Sequence, residues 1–250
     1  MELSAAAKRF CETRFGQVPF GLSQSDPEFS ALFANFAFDE VIQNSRLDDK
    51  TRFLAVLAAV MGCQGTDVFC ALVPGALRCG VTPVELRELV YQAAAYLGLG
   101  RMLPFLRQAN RVLKAQGVTL PLPAQGTAAQ KNRAEAGNAV QVDIFGPQMR
   151  GFQNSGPEES RHINRWLADN CFGDYYTRGG LGYRQRELIT FCFLAAQGGC
   201  EPQLVSHAAA NLRMGNDKVF LIDVISQCLP YIGYPRSLNA IRCVNEAAKE

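Results

Sequence analysis

A cysteine and a histidine stand seven positions apart in the stretch CEPQLVSH, residues 200–207. Seven residues are two turns of an α-helix, so Cys200 and His207 would share one helix face, with Gln203 between them. An imidazole can carry a proton near neutral pH, and a thiolate is a nucleophile. The spacing predicts either a proton-transfer site centred on His207 or a site of thiol chemistry, with Gln203 as a residue that contacts substrate.

Both residues also have a structural interpretation. Cys200 would stand at the amino end of a helix beginning at Glu201, where the helix dipole favours a thiolate and the Glu201 charge opposes it. Most of the nine cysteines are interpreted as small buried hydrophobes, so Cys200 is either reactive or structural. His207 is either a proton shuttle or a core imidazole bound to a backbone carbonyl. The second histidine, His162, is predicted to be solvated.

Glu187 stands in the otherwise apolar stretch RQRELITFCFLAAQGG, residues 184–199. Buried carboxylates are rare without a partner. Either Arg184 or Arg186 neutralises Glu187, or the carboxylate works with His207 in acid/base chemistry.

Two other arginines, Arg178 and Arg213, are candidates for holding a substrate carboxylate, because a guanidinium binds a carboxylate through two hydrogen bonds. The alternative for each is an ordinary surface charge. The single tryptophan, Trp166, is predicted to lie in the core.

Composition excludes several classes of protein. The chain has 25 basic and 23 acidic residues, scattered along its length, so binding to nucleic acid is not expected. No apolar stretch approaches the ~20 residues that span a bilayer, and the first residues do not resemble a secretory signal. The cysteines therefore indicate a reducing, cytoplasmic location. No CxxC pair occurs, so neither a metal site nor a cofactor is predicted.

The sequence contains two copies of one pattern. A shift of 135 residues superimposes Tyr96 on Tyr231 and Gly98 on Gly233, whereas a shift of 134 fits better upstream, for example for Arg52 and Arg186. A tandem duplication with one local length change explains both shifts. We predict a first repeat over 1–117, a Pro-, Gly- and Ala-rich linker over 118–137, and a second repeat over 138–250.

The elements that must position these residues are helices. Residues 49–62 and 184–199 are apolar on nearly every face, as central buried helices are. The sequence TPVE, residues 82–85, is a capping box, and Gly80 and Gly215 stand where a helix end favours glycine. Residues 140–157 are predicted to be extended or rich in turns. The fold class is all-α.

The block LGYRQRELITFCFLAAQGG, HAAANLRMGN and IGYPRSLNAIR resembles the carboxymuconolactone decarboxylase family, which also contains the alkyl hydroperoxidase D-like (AhpD-like) proteins. The resemblance covers nearly all of the second repeat and, more loosely, the first. It implies two tandem AhpD-like helical domains. It also implies a homo-oligomer, a trimer or a dimer, that acts on a small-molecule substrate.

In redox-active members the resemblance implies a glutamate, then CxxC, then a histidine. Glu187, Cys200 and His207 match these residues, but Gln203 replaces the second cysteine. A dithiol relay needs two sulfurs. The resemblance therefore favours cofactor-free decarboxylation of a small carboxylated lactone or related acid, with His207 as proton shuttle and Glu187 as its partner. The alternatives are a thiol-dependent hydroperoxidase and a catalytically silent scaffold.

The first repeat has no imidazole at the matching place, where Leu72 or Cys70 stands, and Phe53 or Arg52 aligns with Glu187. We predict that the first repeat keeps the scaffold and has lost the site.

Overall fold

The computed structural model describes residues 2–249, and every regular element within them is helical, which confirms the all-α fold. The α-helices are α1 (Ala5–Phe15), α2 (Pro27–Asn35), α3 (Val41–Gln43), α4 (Asp49–Gly62), α5 (Thr66–Arg78), α6 (Pro83–Leu97), α7 (Leu99–Ala115), α8 (Arg133–Phe145), α9 (Arg161–Trp166), α10 (Tyr183–Gln197), α11 (Glu201–Arg213), α12 (Lys218–Ile232) and α13 (Tyr234–Ala247). Two segments are π-helical, Phe36–Glu40 and Leu167–Tyr176. None of the helices described is both long and apolar enough to cross a membrane.

Local sequence signals set the ends of the helices. At the start of α6 the Thr82 hydroxyl accepts the Glu85 backbone N–H at 3.2 Å, and the Glu85 carboxylate accepts the Thr82 N–H at 2.8 Å. This is the predicted capping box. Gly80 and Gly215 follow the ends of α5 and α11 with φ of +89° and +85°, a backbone conformation that side chains with a Cβ disfavour.

The two repeats share one hydrophobic core, with α4 packed against α10 at its centre. The helices approach so closely at Gly62 that a Cβ there would lie 2.7 Å from the Ala196 Cβ. Both helices are buried along nearly their whole length, as their apolar sequences predict. The two repeats therefore form a single packed unit.

Two buried arginines join the repeats reciprocally. Arg52 Nε donates to Gln227 Oε1 at 2.8 Å, and Arg186 Nη1 donates to Gln92 Oε1 at 2.9 Å. Arg52 matches Arg186 in the sequence repeat, and Gln92 matches Gln227. Each repeat thus supplies a hydrogen bond acceptor to the other's buried guanidinium.

Two sequence predictions are wrong. Residues 140–157 are not wholly extended or turn-rich, because α8 runs to Phe145 and begins at Arg133, within the predicted linker. The glycine that looked like a linker residue, Gly137, is a packing contact: a Cβ there would overlap the Ala168 carbonyl oxygen in the π-helical segment. The second wrong prediction concerns Trp166. It lies outside the core with 56% of its surface exposed, and its indole packs edge-on against His162.

Candidate functional site

A cavity of about 480 Å³ opens beside the second repeat's central helix. Three residues predicted from the sequence, Cys200, Gln203 and His207, lie in its wall, as their shared helix face requires. The rest of the wall comes from α8, Met149 in the turn after it, the π-helical segment, α10 and the end of α6. Glu187 is fully buried on α10 behind His207.

Glu187 and His207 form a direct pair. The imidazole Nδ1 lies 2.7 Å from Glu187 Oε2, and the ring is held edge-on between Tyr96 and Phe145, with ring centroids 5.5 and 5.3 Å away. Because Nδ1 is engaged by the carboxylate, Nε2 is the nitrogen left to serve a molecule in the cavity. Arg184 and Arg186 do not bond Glu187; they bind Asn216 and Glu88.

A chain of hydroxyl groups holds the other carboxylate oxygen. Tyr176 donates to Glu187 Oε1 at 2.9 Å, and its hydroxyl lies 2.8 Å from the Tyr96 hydroxyl and 2.7 Å from Thr190 Oγ1. Since Tyr176 has one proton and gives it to Glu187, Tyr96 and Thr190 are the donors to Tyr176. Burial and the Glu187 charge hold the pKa of Tyr176 well above its usual range, so the phenol stays a donor.

The first repeat contributes to this site through one face of α6. Glu88, Gln92 and Tyr96 follow one another at intervals of four residues and point toward the second repeat. Gln92 Nε2 donates to Thr190 Oγ1 at 2.8 Å, and Glu88 binds the guanidiniums of Arg178 and Arg186 at 2.9 and 3.3 Å. Residues from both repeats therefore position Glu187.

Cys200 occupies the amino-terminal position of α11 as predicted, but its surroundings do not favour a thiolate. Burial raises the pKa of the Cys200 thiol, and the Glu201 charge adds to the rise, while a hydrogen bond from the Gln197 amide at 3.5 Å opposes it. The structure places Cys200 in the same cavity wall as His207, in surroundings that favour the neutral thiol.

Neither candidate arginine lines the cavity. Arg178 is bound through two nitrogens to the buried Glu88 carboxylate, and Arg213 is exposed, with Nε 3.3 Å from the Ile144 carbonyl oxygen. No lysine or arginine is among the residues that form the cavity wall, so His207 is the group there that can become cationic. No cluster of acidic, thiol or imidazole side chains suited to a metal ion occurs in residues 2–249.

Sequence reasoning missed Gln141, a fully buried residue of α8 in the cavity wall. Its Oε1 accepts from Asn138 at 3.1 Å, whereas its Nε2 has no hydrogen bond partner in the part of the chain that the structure describes. A buried amide donor without a partner is costly unless something binds it. Gln141 belongs to no motif in the sequence. It also lies in residues 140–157, which were predicted to be extended or rich in turns, so its place on a helix was not expected.

The first repeat carries no acid/base pair at the equivalent place. The bounds of α5 and α11 differ by 135 residues, which places Leu72 opposite His207, and the starts of α4 and α10 differ by 134, which places Phe53 opposite Glu187. Leu72 and Phe53 are both buried apolar residues.

Comparison with known proteins supports the tandem duplication. The model of the carboxymuconolactone decarboxylase family matches the chain twice, over residues 27–111 and 162–246. A 4-carboxymuconolactone decarboxylase of Acinetobacter baylyi is 26% identical over 122 residues, which are 48% of this chain and 90% of that protein. A solved structure from Burkholderia xenovorans, described as a candidate gamma-carboxymuconolactone decarboxylase subunit, has 22% identity and a TM-score of 0.57 over 97% of this chain and 96% of its own. That likeness shows the fold. The two matched ranges together cover more than half of the sequence, so the chain belongs to the carboxymuconolactone decarboxylase family, in two tandem copies.

Proposed function

We propose that the protein decarboxylates a small carboxylated lactone or related acid by acid/base chemistry that needs no cofactor. The observation that carries this proposal is the Glu187–His207 pair, 2.7 Å apart, at the wall of a largely apolar cavity. The name of the Acinetobacter relative supports the reaction class.

In the proposed reaction the bond between the substrate carbon and its carboxylate breaks, and CO₂ leaves. The electron pair stays on the substrate, where a conjugated lactone carbonyl delocalises it. The His207 imidazolium then gives its proton to the carbanion carbon or to the enolate, and solvent returns a proton to the imidazole. The net reaction consumes one proton and releases one CO₂. Glu187 orients the ring and stabilises the imidazolium.

The cavity wall supports loss of CO₂. Phe145, Phe172, Leu167 and Leu194 line it, so a bound carboxylate would exchange water for apolar surface. An arginine bound to the carboxylate would stabilise the negative charge in the ground state, and none lines the cavity. The unpartnered Gln141 amide is suited to binding the lactone carbonyl, whose oxygen gains negative charge as the electron pair is delocalised.

Thiol-dependent peroxide reduction is not favoured. The pKa of the Cys200 thiol is raised rather than lowered, so little thiolate is present at neutral pH. Gln203 stands where a second sulfur would have to resolve the oxidised cysteine. No observation supports a silent scaffold, because the acid/base pair and its supporting hydrogen bonds are complete.

The experiment is a CO₂-release assay on a panel of carboxylated γ-lactones. His207→Gln should lower kcat/KM at least about 100-fold, because a positioned acid typically contributes that much. His162→Gln is the matched control, since His162 is the only other histidine and lies on the exposed α9. Cys200→Ser should keep most of the activity. Full activity in His207→Gln, or peroxide consumption that depends on Cys200, would refute the proposal.

We further propose that the chain works as a homo-oligomer, a dimer or a trimer, in the cytoplasm. Ile163, Trp166 and Leu167 form an exposed apolar strip, and Leu167 also lines the cavity. A second subunit on this strip would close the cavity. Sedimentation equilibrium should give two or three chains per particle, and Trp166→Glu should shift the protein toward monomer.

A further inference from the structure

The first repeat contains a second, larger cavity of about 820 Å³ in the position equivalent to the candidate active site. Each cavity is closed on one side by a tyrosine from the other repeat, Tyr231 here and Tyr96 in the second repeat. The shift of 135 residues matches these two tyrosines. The duplication has therefore produced two related cavities, of which the proposed decarboxylation uses one.

At three matched positions the wall of the first-repeat cavity carries an apolar residue where the second-repeat cavity carries a polar one. Where the active-site cavity has Cys200, Gln203 and Ser206, the first-repeat cavity has Gly65, Val68 and Ala71. The position of His207 holds Leu72. Loss of the acid/base pair alone would not require the cavity wall to lose these hydrogen bonding groups as well. The three replacements therefore indicate a site for a different kind of molecule.

The rest of the wall is mostly apolar, with the Ser30 hydroxyl and the Cys63 and Cys70 thiols among its polar groups. One charged side chain, that of Asp67, stands among the residues that form it. Phe20 packs edge-on against Phe33 with ring centroids 5.5 Å apart, and Phe33 packs edge-on against Tyr231 at 5.7 Å. Phe29 lies at the same wall with 57% of its surface exposed. An aromatic wall suits a flat apolar ligand, and the Asp67 carboxylate repels an anion.

Backbone strain is concentrated at the wall of the first-repeat cavity. Within residues 2–249, positive φ at a residue other than glycine occurs at Phe20, with φ of +79°, and at Gln64, with φ of +64°. Phe20 lines the cavity, and Gln64 stands between the lining residues Cys63 and Gly65. Each such conformation costs on the order of 1–3 kcal/mol, and strained residues of this kind cluster at ligand-binding sites.

We propose that the first-repeat cavity is a binding site for an uncharged, apolar aromatic molecule, distinct from the substrate of the second repeat. Its volume lies within the range of small-molecule sites. The proposal rests on the lining residues, their charge and the strained backbone, and it does not depend on the reaction proposed for the other cavity.

Two fluorescent probes with the same ring system test the proposal. N-phenyl-1-naphthylamine is neutral, and 8-anilinonaphthalene-1-sulfonate carries an anion. Titration of the full-length protein should show one saturable site per chain for the neutral probe, with a Kd at least about tenfold lower than for the sulfonate. Asp67→Asn should reduce the difference between the two Kd values, because it removes the charge that repels the sulfonate. Absence of a saturable site, or equal affinity for both probes, would overturn the proposal.

Paired variants locate the bound probe. Ala71→Phe, which fills the first-repeat cavity, should weaken binding of the neutral probe at least about tenfold. Ser206→Phe, the equivalent change in the second repeat, should leave it unchanged. Phe29→Ala removes an exposed lining ring without disturbing the core and should also weaken binding, which provides a test if Ala71→Phe does not fold. Loss of binding in Ser206→Phe alone would refute the proposal. So would a change in particle mass on sedimentation of Phe29→Ala, because a second chain would then occupy the cavity.

Discussion

Gln141 illustrates how a single buried side chain can matter to function more than to folding. Its Nε2 has no hydrogen bond partner among the residues described, although the side chain is fully buried at the cavity wall. An unsatisfied buried donor destabilises a folded protein by about 1–3 kcal/mol. Gln141→Leu should therefore leave the free energy of unfolding unchanged or raise it.

The same Gln141→Leu variant should turn over substrate less well, because leucine has no amide N–H to donate to the lactone carbonyl. We expect kcat/KM to fall roughly tenfold, equivalent to about 1.4 kcal/mol, because that hydrogen bond strengthens as the carbonyl oxygen gains charge. Steady-state CO₂ release and urea unfolding of the same preparation measure both effects. An unchanged kcat/KM would remove Gln141 from substrate binding.

Tyr176 acts through Glu187 and does not line the cavity. Tyr176→Phe would leave Glu187 Oε1 without its donor and would deprive the Tyr96 and Thr190 hydroxyls of their acceptor. We expect unfolding to become easier by about 1–3 kcal/mol and kcat to fall while KM stays nearly constant. Tyr175→Phe is the matched control, since no described residue hydrogen-bonds the Tyr175 hydroxyl. Equal kcat in both variants would contradict a positioning role for Tyr176.

At the scale of elements, the contact between α8 and the π-helical segment Leu167–Tyr176 positions much of the site. This segment supplies Leu167, Cys171 and Phe172 to the cavity wall and Tyr176 to the carboxylate. Gly137 and Gly173 allow the two elements to touch: a Cβ on Gly173 would overlap the Arg133 carbonyl oxygen, just as one on Gly137 would overlap that of Ala168.

Gly137→Ala should push these two elements apart, because a backbone carbonyl cannot rotate away from the added methyl group. We expect a loss of about 1–3 kcal/mol in unfolding free energy and a fall in kcat as Tyr176 moves from Glu187. Gly100→Ala is the control: Gly100 is helical and has open space around its Cβ position, so alanine should stabilise the protein by up to about 1 kcal/mol. Thermal unfolding and CO₂ release distinguish the two outcomes.

The helices that could be predicted from the sequence are those whose ends carry a local signal. The Thr82 capping box and the glycines at 80 and 215 act within a few residues of the chain, so they work without knowledge of the fold. Gly137 was misread because its role is a contact with Ala168, distant in sequence. A glycine in a linker and a glycine in a close helix contact look alike until the partner is known.

The residues of the candidate site also divide into those that the sequence predicts and those that it does not. Glu187, Cys200 and His207 could be singled out because they match the family resemblance, and the spacing of Cys200, Gln203 and His207 placed these three on one helix face. Gln141 could not, since α8 lies outside both ranges matched by the family model. The first repeat's contribution to the site, through α6, does have a signal in the sequence. Glu88, Gln92 and Tyr96 recur as Asp223, Gln227 and Tyr231 at the same four-residue spacing.

At the scale of the whole molecule, the two repeats are interlocked by buried hydrogen bonds and do not form separate domains on a linker. Gln92 of the first repeat binds Arg186 of the second, and Gln227 of the second binds Arg52 of the first. All four side chains are buried, and each guanidinium has at least one of its acceptors in the opposite half. This arrangement gives the first repeat a structural role, although Leu72 and Phe53 stand where the second repeat has His207 and Glu187.

Interlocking predicts that the chain unfolds in one cooperative transition. Gln92→Leu and Gln227→Leu should each shift that transition by about 1–3 kcal/mol in urea, because each removes one acceptor from a buried guanidinium. Their effects on activity should differ. Gln92 also donates to Thr190, which binds Tyr176, so Gln92→Leu should lower kcat, whereas Gln227 binds only Arg52 and the Val41 carbonyl and Gln227→Leu should not. Two separate unfolding transitions, with each variant affecting only one, would mean that the halves fold independently and that the shared core does not couple them.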